Sequence, residues 1–174
     1  MASSSLYQAA IPVFETGINA LSAILDKASA FAAAKKIDPA VLLHTRLAPD
    51  MFDFTRQVQT VSDQARRGAA RLAGAEPPSY EDNETTIEQL KARLAKTVAY
   101  LKTLDAKQVD AAADREITFP LGNMTGRMKG SEYLHHFLLP NYYFHLTAAY
   151  AILRHCGIDI GKRDFIGTIP IKVS

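Results

Sequence analysis

The stretch "HHFLLPNYYFHLTAAYAILRHCG", residues 135–157, holds four of the chain's five histidines and its one cysteine. Residues of these types can ligate a metal, move protons or act as nucleophiles, and on a helix their directions decide which. Leu134, Leu138, Asn141, His145, Ala148 and Ile152 recur at spacings of three and four, so they share one face. Asn141 and His145 are thus a polar pair, one turn apart, inside an apolar stripe. Two readings stay open. The pair can be a His–Asn hydrogen bond that satisfies both groups in a core, or it can line a pocket between helices, where bundles build their sites.

The other histidines point elsewhere. His135 and His136 are adjacent and lie about 100° apart on a regular helix, so they cannot both face one metal. His136 falls nearly opposite His145, and His155 sits in the last turn, where it can meet the final carbonyls. A zinc centre needs three or four ligands at about 2 Å, and this stretch supplies one inward imidazole. Cys156 lies at the C-terminal end of the helix, where the dipole disfavours a thiolate, so it reads as packing. The successive rings of Tyr142, Tyr143 and Phe144 read as core or interface, with the tyrosine hydroxyls able to join His145 in acid–base chemistry. His44 falls in a connection and reads as exposed. "GNMTGRMKG" lacks the spacing of a phosphate loop, and no nucleophile-elbow pattern occurs.

Four segments of helical periodicity must position these residues. The first runs from Leu6 to Ala34 with Val13, Gly17, Leu21, Ile24, Ala28 and Phe31 on one stripe, and Pro12 suggests a start near Ile11. "KKIDPAVLLHTRLAP" is a connection with one helical turn after Asp38-Pro39. The second helix has Asp50 as cap and Asp53 in its first turn. Met51, Phe54, Val58, Val61, Ala65, Gly68 and Leu72 form its apolar face, with Arg66, Arg67 and Arg71 off it, and Gly74 ends it. "EPPSYEDNETT" is a loop, and Thr85 with Glu88 has the spacing of a capping box. The third helix carries Ile87, Leu90, Leu94, Val98, Leu101 and Leu104. "REITFPLGNMTGRMKG" reads as a short hairpin with Ile117 and Phe119 on one side, which must pack on something to persist. The fourth helix has Ser131 as cap and Glu132 in its first turn, and runs to about His155 with Gly157 just past its end. Pro140 inside it removes the bond to the His136 carbonyl and should bend or interrupt it. The final "TIPIKVS" is apolar enough to lie on the bundle or on a partner subunit.

Composition narrows the class. The chain has 174 residues, 48% hydrophobic and 22% charged, with net charge +2, which fits one soluble domain over residues 1–174 with a tail at 158–174. No basic block is present, which argues against nucleic-acid binding. A lone cysteine excludes a disulfide framework and a multi-thiolate zinc site. No run approaches the roughly 18 apolar residues of a membrane span. The N-terminal segment lacks a basic n-region and is interrupted by Gln8 and Glu15, so it does not read as a signal peptide. The expectation is a cytoplasmic protein.

Several stretches, "SLYQAAIPVF", "LAPDMFDFTRQVQ", "RLAGAEPPSYEDNETT", "LPNYYFHLTAAYAILRHCGIDIGKRDF" and the "ITF" strand, resemble an uncharacterised bacterial domain-of-unknown-function family within the DinB/YfiT-like superfamily. The resemblance implies an up-down-down-up four-helix bundle, commonly dimeric, with no assigned activity for this branch. Metal-binding members of the superfamily supply one histidine from the second helix and two from a His-x-x-x-His motif before a "Leu-Arg-x-x-Gly" end on the fourth. Here "LRHCG" matches that end and His145 stands at the second motif histidine. Asn141 replaces the first, and the second helix offers only Gln57 and Gln59.

The expected fold is all-α, a DinB/YfiT-like four-helix bundle with a small β-hairpin between helices three and four. The expected role is small-molecule binding or an accessory function with a degenerate metal site, lined by His145, Asn141 and Gln57. If a divalent metal (zinc or nickel) binds at all, His145 holds it. A homodimer is expected, without nucleic-acid or membrane partners. Two rivals stand beside this reading: a divalent-metal-dependent enzyme of thiol-transferase or hydrolase type, and a structural protein acting as a homodimer.

Overall fold

The computed structural model describes residues 5–170. In chain order these form α1 (Leu6–Lys35), the short α2 (Pro39–Leu43), α3 (Phe54–Ala73), α4 (Ile87–Leu101) and the short α5 (Ala106–Asp110). Strands β1 (Glu116–Leu121) and β2 (Met124–Lys129) follow, then α6 (Gly130–Glu132), a π-helical segment (Tyr133–Leu138), α7 (Leu139–His155) and α8 (Lys162–Ile166). The chief packing partners are α3 with α7 and α4, and α1 with α4 and α7, so the order round the bundle is α1, α4, α3, α7. Phe14, Leu21, Val58, Val61, Leu90, Leu94, Leu138 and Ile152 are buried at its centre.

Tertiary contacts move several element boundaries from their expected places. Helix α1 begins at Leu6, well before Pro12, because its first turn is held from outside. Ser5 caps it by accepting from the Gln8 N–H at 3.1 Å, and Asp110 of α5 accepts from the Tyr7 N–H at 2.9 Å. Helix α3 is capped by Asp53 rather than Asp50. Asp53 accepts from the Arg56 N–H at 2.9 Å, while Met51 is drawn into a preceding turn by its bond to the Ala48 carbonyl. The capping box of α4 is Thr86 with Gln89, one residue beyond the expected pair. Gln89 Oε1 reaches the N–H groups of both Thr85 (2.7 Å) and Thr86 (3.1 Å), which the exposed Glu88 does not. The left-handed Gly74 closes α3, and Arg115 donates to the Arg71 and Leu72 carbonyls at 2.9 and 2.6 Å to complete that end.

The fourth long helix is capped at Lys129 and begins at Gly130, so the cap lies two residues before the expected Ser131, which falls inside the helix. The Gly130 N–H donates to the Arg115 carbonyl, and a Cβ at Gly130 would collide with the Ala112 carbonyl. Pro140 does not break this helix. The turn before it is wound as a π-helix, in which the Leu139 N–H reaches back five residues to the Leu134 carbonyl. A wider turn makes room for a proline ring that would otherwise press on the carbonyl four residues back. The hairpin is antiparallel, with Ile117 opposite Met128 and Phe119 opposite Gly126. Its support is aromatic: Phe119 meets Phe137 with ring centres 4.3 Å apart and Tyr133 at 5.0 Å.

The tail packs on its own chain as far as it is described. Ile158 and Ile160 are buried, α8 lies on α1, and Asp164 pairs with Lys27 at 2.7 Å. Residues 171–174 of "TIPIKVS", and residues 1–4, lie outside the described part. Among the described residues no helix is long and apolar enough to cross a membrane.

Candidate functional site

The pair expected on α7 is not bonded to itself. Asn141 turns back along its helix and donates from Nδ2 to the Phe137 carbonyl at 2.7 Å. His145 reaches across to α3, where its Nδ1 lies 2.7 Å from Gln57 Oε1. The buried Gln57 also donates from Nε2 to the Phe52 carbonyl at 3.3 Å. A carbonyl can only accept, so the amide nitrogen faces Phe52 and the amide oxygen faces the imidazole. The imidazole therefore carries its hydrogen on Nδ1 and leaves Nε2 as a lone-pair acceptor.

His145 is half-buried among rings. Phe52 stacks on it at 6.1 Å, and Phe144 meets it edge-on at 5.2 Å. Burial lowers its pKa, and the positive charge of Arg56 lowers it further. It is held neutral. The tyrosine hydroxyls do not join it in the manner expected. Tyr142 is buried against α1 and donates from its hydroxyl to the Phe14 carbonyl at 3.1 Å, and a Cβ at Gly17 would strike that hydroxyl. Burial pushes the Tyr142 phenol far above its ordinary value.

The remaining sequence candidates disperse. His135, His136 and His155 are exposed, with His135 Nδ1 donating to the Ser131 carbonyl at 2.8 Å. His44 is exposed, 3.7 Å from Asp53. Gln59, the other amide on the second long helix, is buried and donates to Glu84 at 2.8 Å. Among the described residues no group of three His, Cys, Asp or Glu side chains stands close enough to hold a metal ion. Around His145 the donors are one imidazole, an amide oxygen already spoken for and an asparagine facing its own backbone, beside a guanidinium. That set does not fit a tetrahedral divalent-metal centre, which needs at least three protein ligands.

Sequence reasoning missed a second polar cluster. Arg66 and Arg93 are both buried, at 1% and 4% exposure, although Arg66 was expected off the apolar face. Asp63 accepts from Arg66 at 2.7 Å, Arg93 at 2.8 Å and Arg67 at 3.0 Å. Arg93 also pairs with Asp82 at 2.9 Å and Glu84 at 3.0 Å, and donates to the Glu81 carbonyl at 3.0 Å. Arg66 donates to the Pro78 carbonyl, and the Tyr80 ring covers its guanidinium at 4.2 Å. Arg56 pairs with Asp82. Burial works against the Arg93 charge, but Glu84 and Asp63 outweigh it and raise its pKa. The cluster staples the loop between α3 and α4 to both helices. The run "YEDNE" was the available signal: three acids beside two helices that carry unassigned arginines.

Comparison with known proteins places this geometry. The crystal structure of a DinB family member protein from Shewanella denitrificans superposes with a TM-score of 0.91 and 40% sequence identity, covering 97% of this chain and 96% of that one. The class is thus the DinB-type four-helix bundle. Residues 6–166 match the model for a domain of unknown function, DUF1993, and the chain belongs to that family. No curated protein matches it.

Proposed function

We propose that this protein is a small-molecule-binding or accessory bundle in which the superfamily's metal motif has been reduced to a single histidine. The observation that carries this reading is the 2.7 Å bond between His145 Nδ1 and Gln57 Oε1. It leaves a neutral imidazole with a free Nε2 acceptor between the Phe52 and Phe144 rings, a site able to take a hydrogen bond from a small organic ligand. The rival metal-dependent enzyme of thiol-transferase or hydrolase type would need ligands beyond His145, from water or substrate.

Metal analysis of untagged protein, as purified and after adding Zn²⁺ or Ni²⁺, separates the two. Less than about a tenth of an equivalent should be retained, with no change on His145→Ala, since a working site must supply its ligand count. Stoichiometric retention lost in His145→Ala would restore the enzyme reading.

A homodimer is a second reading, favoured by an apolar face on α7. Tyr143 and Phe144 are 43% and 58% exposed, and with Leu47, Met51 and Ala148 they line a cleft of about 400 Å³. Light scattering should give twice the chain mass, and Phe144→Glu should halve it. A monomer at high concentration would remove the reading.

A further inference from the structure

We propose that the cleft between the outer face of α3, the hairpin and the π-helical segment is a binding site for a small oxyanion carrying an aromatic ring. It shares Phe52 and Arg56 with the surroundings of His145 but rests on Arg67, Arg71, Phe119 and Phe137, and stands without the His145 reading. Arg56, Arg67 and Arg71 recur along α3 at helical spacing and line one side of the cleft. Phe119 and Phe137 line the other, Phe52 lies against Arg56, and the cleft measures about 220 Å³.

The charge balance favours an anion. Four guanidinium groups, those of Arg56, Arg66, Arg67 and Arg93, share the carboxylates of Asp63, Asp82 and Glu84. Asp63 is the carboxylate that lines the cleft, and it is already taken by three arginines. Arg71 meets no carboxylate among the described residues, and its guanidinium donates to the Tyr133 hydroxyl at 3.4 Å. Arg67 is half-exposed at the cleft and shares Asp63 with two other arginines. One turn apart, Arg67 and Arg71 offer planar forks suited to the two oxygens of a carboxylate or phosphate.

The opposite wall selects the rest of the ligand. The rings of Phe119 and Phe137 stand 4.3 Å apart, and Tyr133 backs both. Gly126 lets the Phe119 ring lie flat across the hairpin, since a Cβ there would collide with it. Phe137 is placed by the π-helical turn, a feature that recurs at functional sites. A planar ring fits between such walls and the guanidinium groups of α3. The volume lies below the roughly 300–1,000 Å³ typical of drug-sized ligands, so a single ring is the size accommodated.

The test is an NMR titration of the full chain with benzoate, benzamide, phenyl phosphate and inorganic phosphate. Benzoate and phenyl phosphate should saturate and move the amides of residues 119, 137 and 67–71. Benzamide, lacking the charge, and inorganic phosphate, lacking the ring, should bind at least about tenfold more weakly. Arg71→Gln should weaken benzoate by about tenfold, with Arg71→Lys between it and the parent. Arg67→Gln, at a half-exposed side chain, provides the same comparison should Arg71→Gln fail to fold. Equal binding of benzamide and benzoate, equal binding of the two phosphates, shifts confined to other residues, or no saturation at millimolar ligand would each overturn the proposal.

Discussion

His145 shows how a neighbour sets the chemistry of a side chain. The same residue facing a carboxylate would be a cation near neutral pH; facing the Gln57 amide, with Arg56 nearby, it is neutral. Its folded pKa lies below the ordinary histidine value of 6.5, so the folded state resists protonation that the unfolded chain accepts. The linked stability is fully present above the unfolded value and is lost as pH falls toward and through the lower folded one. The imidazole should therefore titrate below 6.5 by NMR, with the hydrogen on Nδ1 at neutral pH. In Gln57→Glu a carboxylate replaces the amide, and the titration should move above 6.5. A wild-type titration at or above 6.5 would contradict the burial of the ring and the influence of Arg56.

Among the helices, close approach is what the bundle geometry depends on. The Leu138 side chain sits directly over Gly68, where the π-helical segment crosses α3. A methyl group there must push that buried side chain aside. Gly68→Ala should cost about 1–3 kcal/mol in chemical denaturation, despite the better helix propensity of alanine. Shortening the opposing side chain in Gly68→Ala/Leu138→Ala should show positive coupling, since the clash is removed with its partner. Strict additivity of the two substitutions would mean that the contact is not what limits the crossing.

For the whole molecule, the arginine cluster ties the 13-residue connection from Gly74 to Thr86 to the bundle. Arg93 is its centre, joining α3, α4 and the loop through Asp63, Asp82 and Glu84. Removing one member of a buried charge network strands the others, which costs about 3–5 kcal/mol. Arg93→Leu should fall in that range by denaturant unfolding and should expose the loop to limited proteolysis. The Arg56 and Arg93 charges outweigh the burial that would otherwise raise the Asp82 carboxyl, and hold its pKa below 3.8. Its share of stability is present above that value and is lost as pH falls through the depressed folded one. Acid unfolding of the parent should therefore be steeper than that of Asp82→Asn across this low range.

The helices, their apolar faces and the hairpin were legible from local pattern, because periodicity records which side of an element meets the core. Leu90, Leu94 and Leu101 are buried on the expected stripe of α4, as are Ile117 and Phe119 on the hairpin. The placing of His145 and Gln57 in one region followed from the family resemblance. Their bond did not, because it joins atoms 88 residues apart. The start of α1 depends on Asp110, the cap of α3 on a turn around Met51, and the passage through Pro140 on a widened turn. Arg66 and Arg93 could not be read as buried, because a charge enters a core only where partners from elsewhere in the chain await it. Local sequence thus set the elements and the faces they bury. Tertiary structure alone decided the proton on His145, the turning away of Asn141 and the meeting of three arginines with three rings, because each depends on groups distant in the chain.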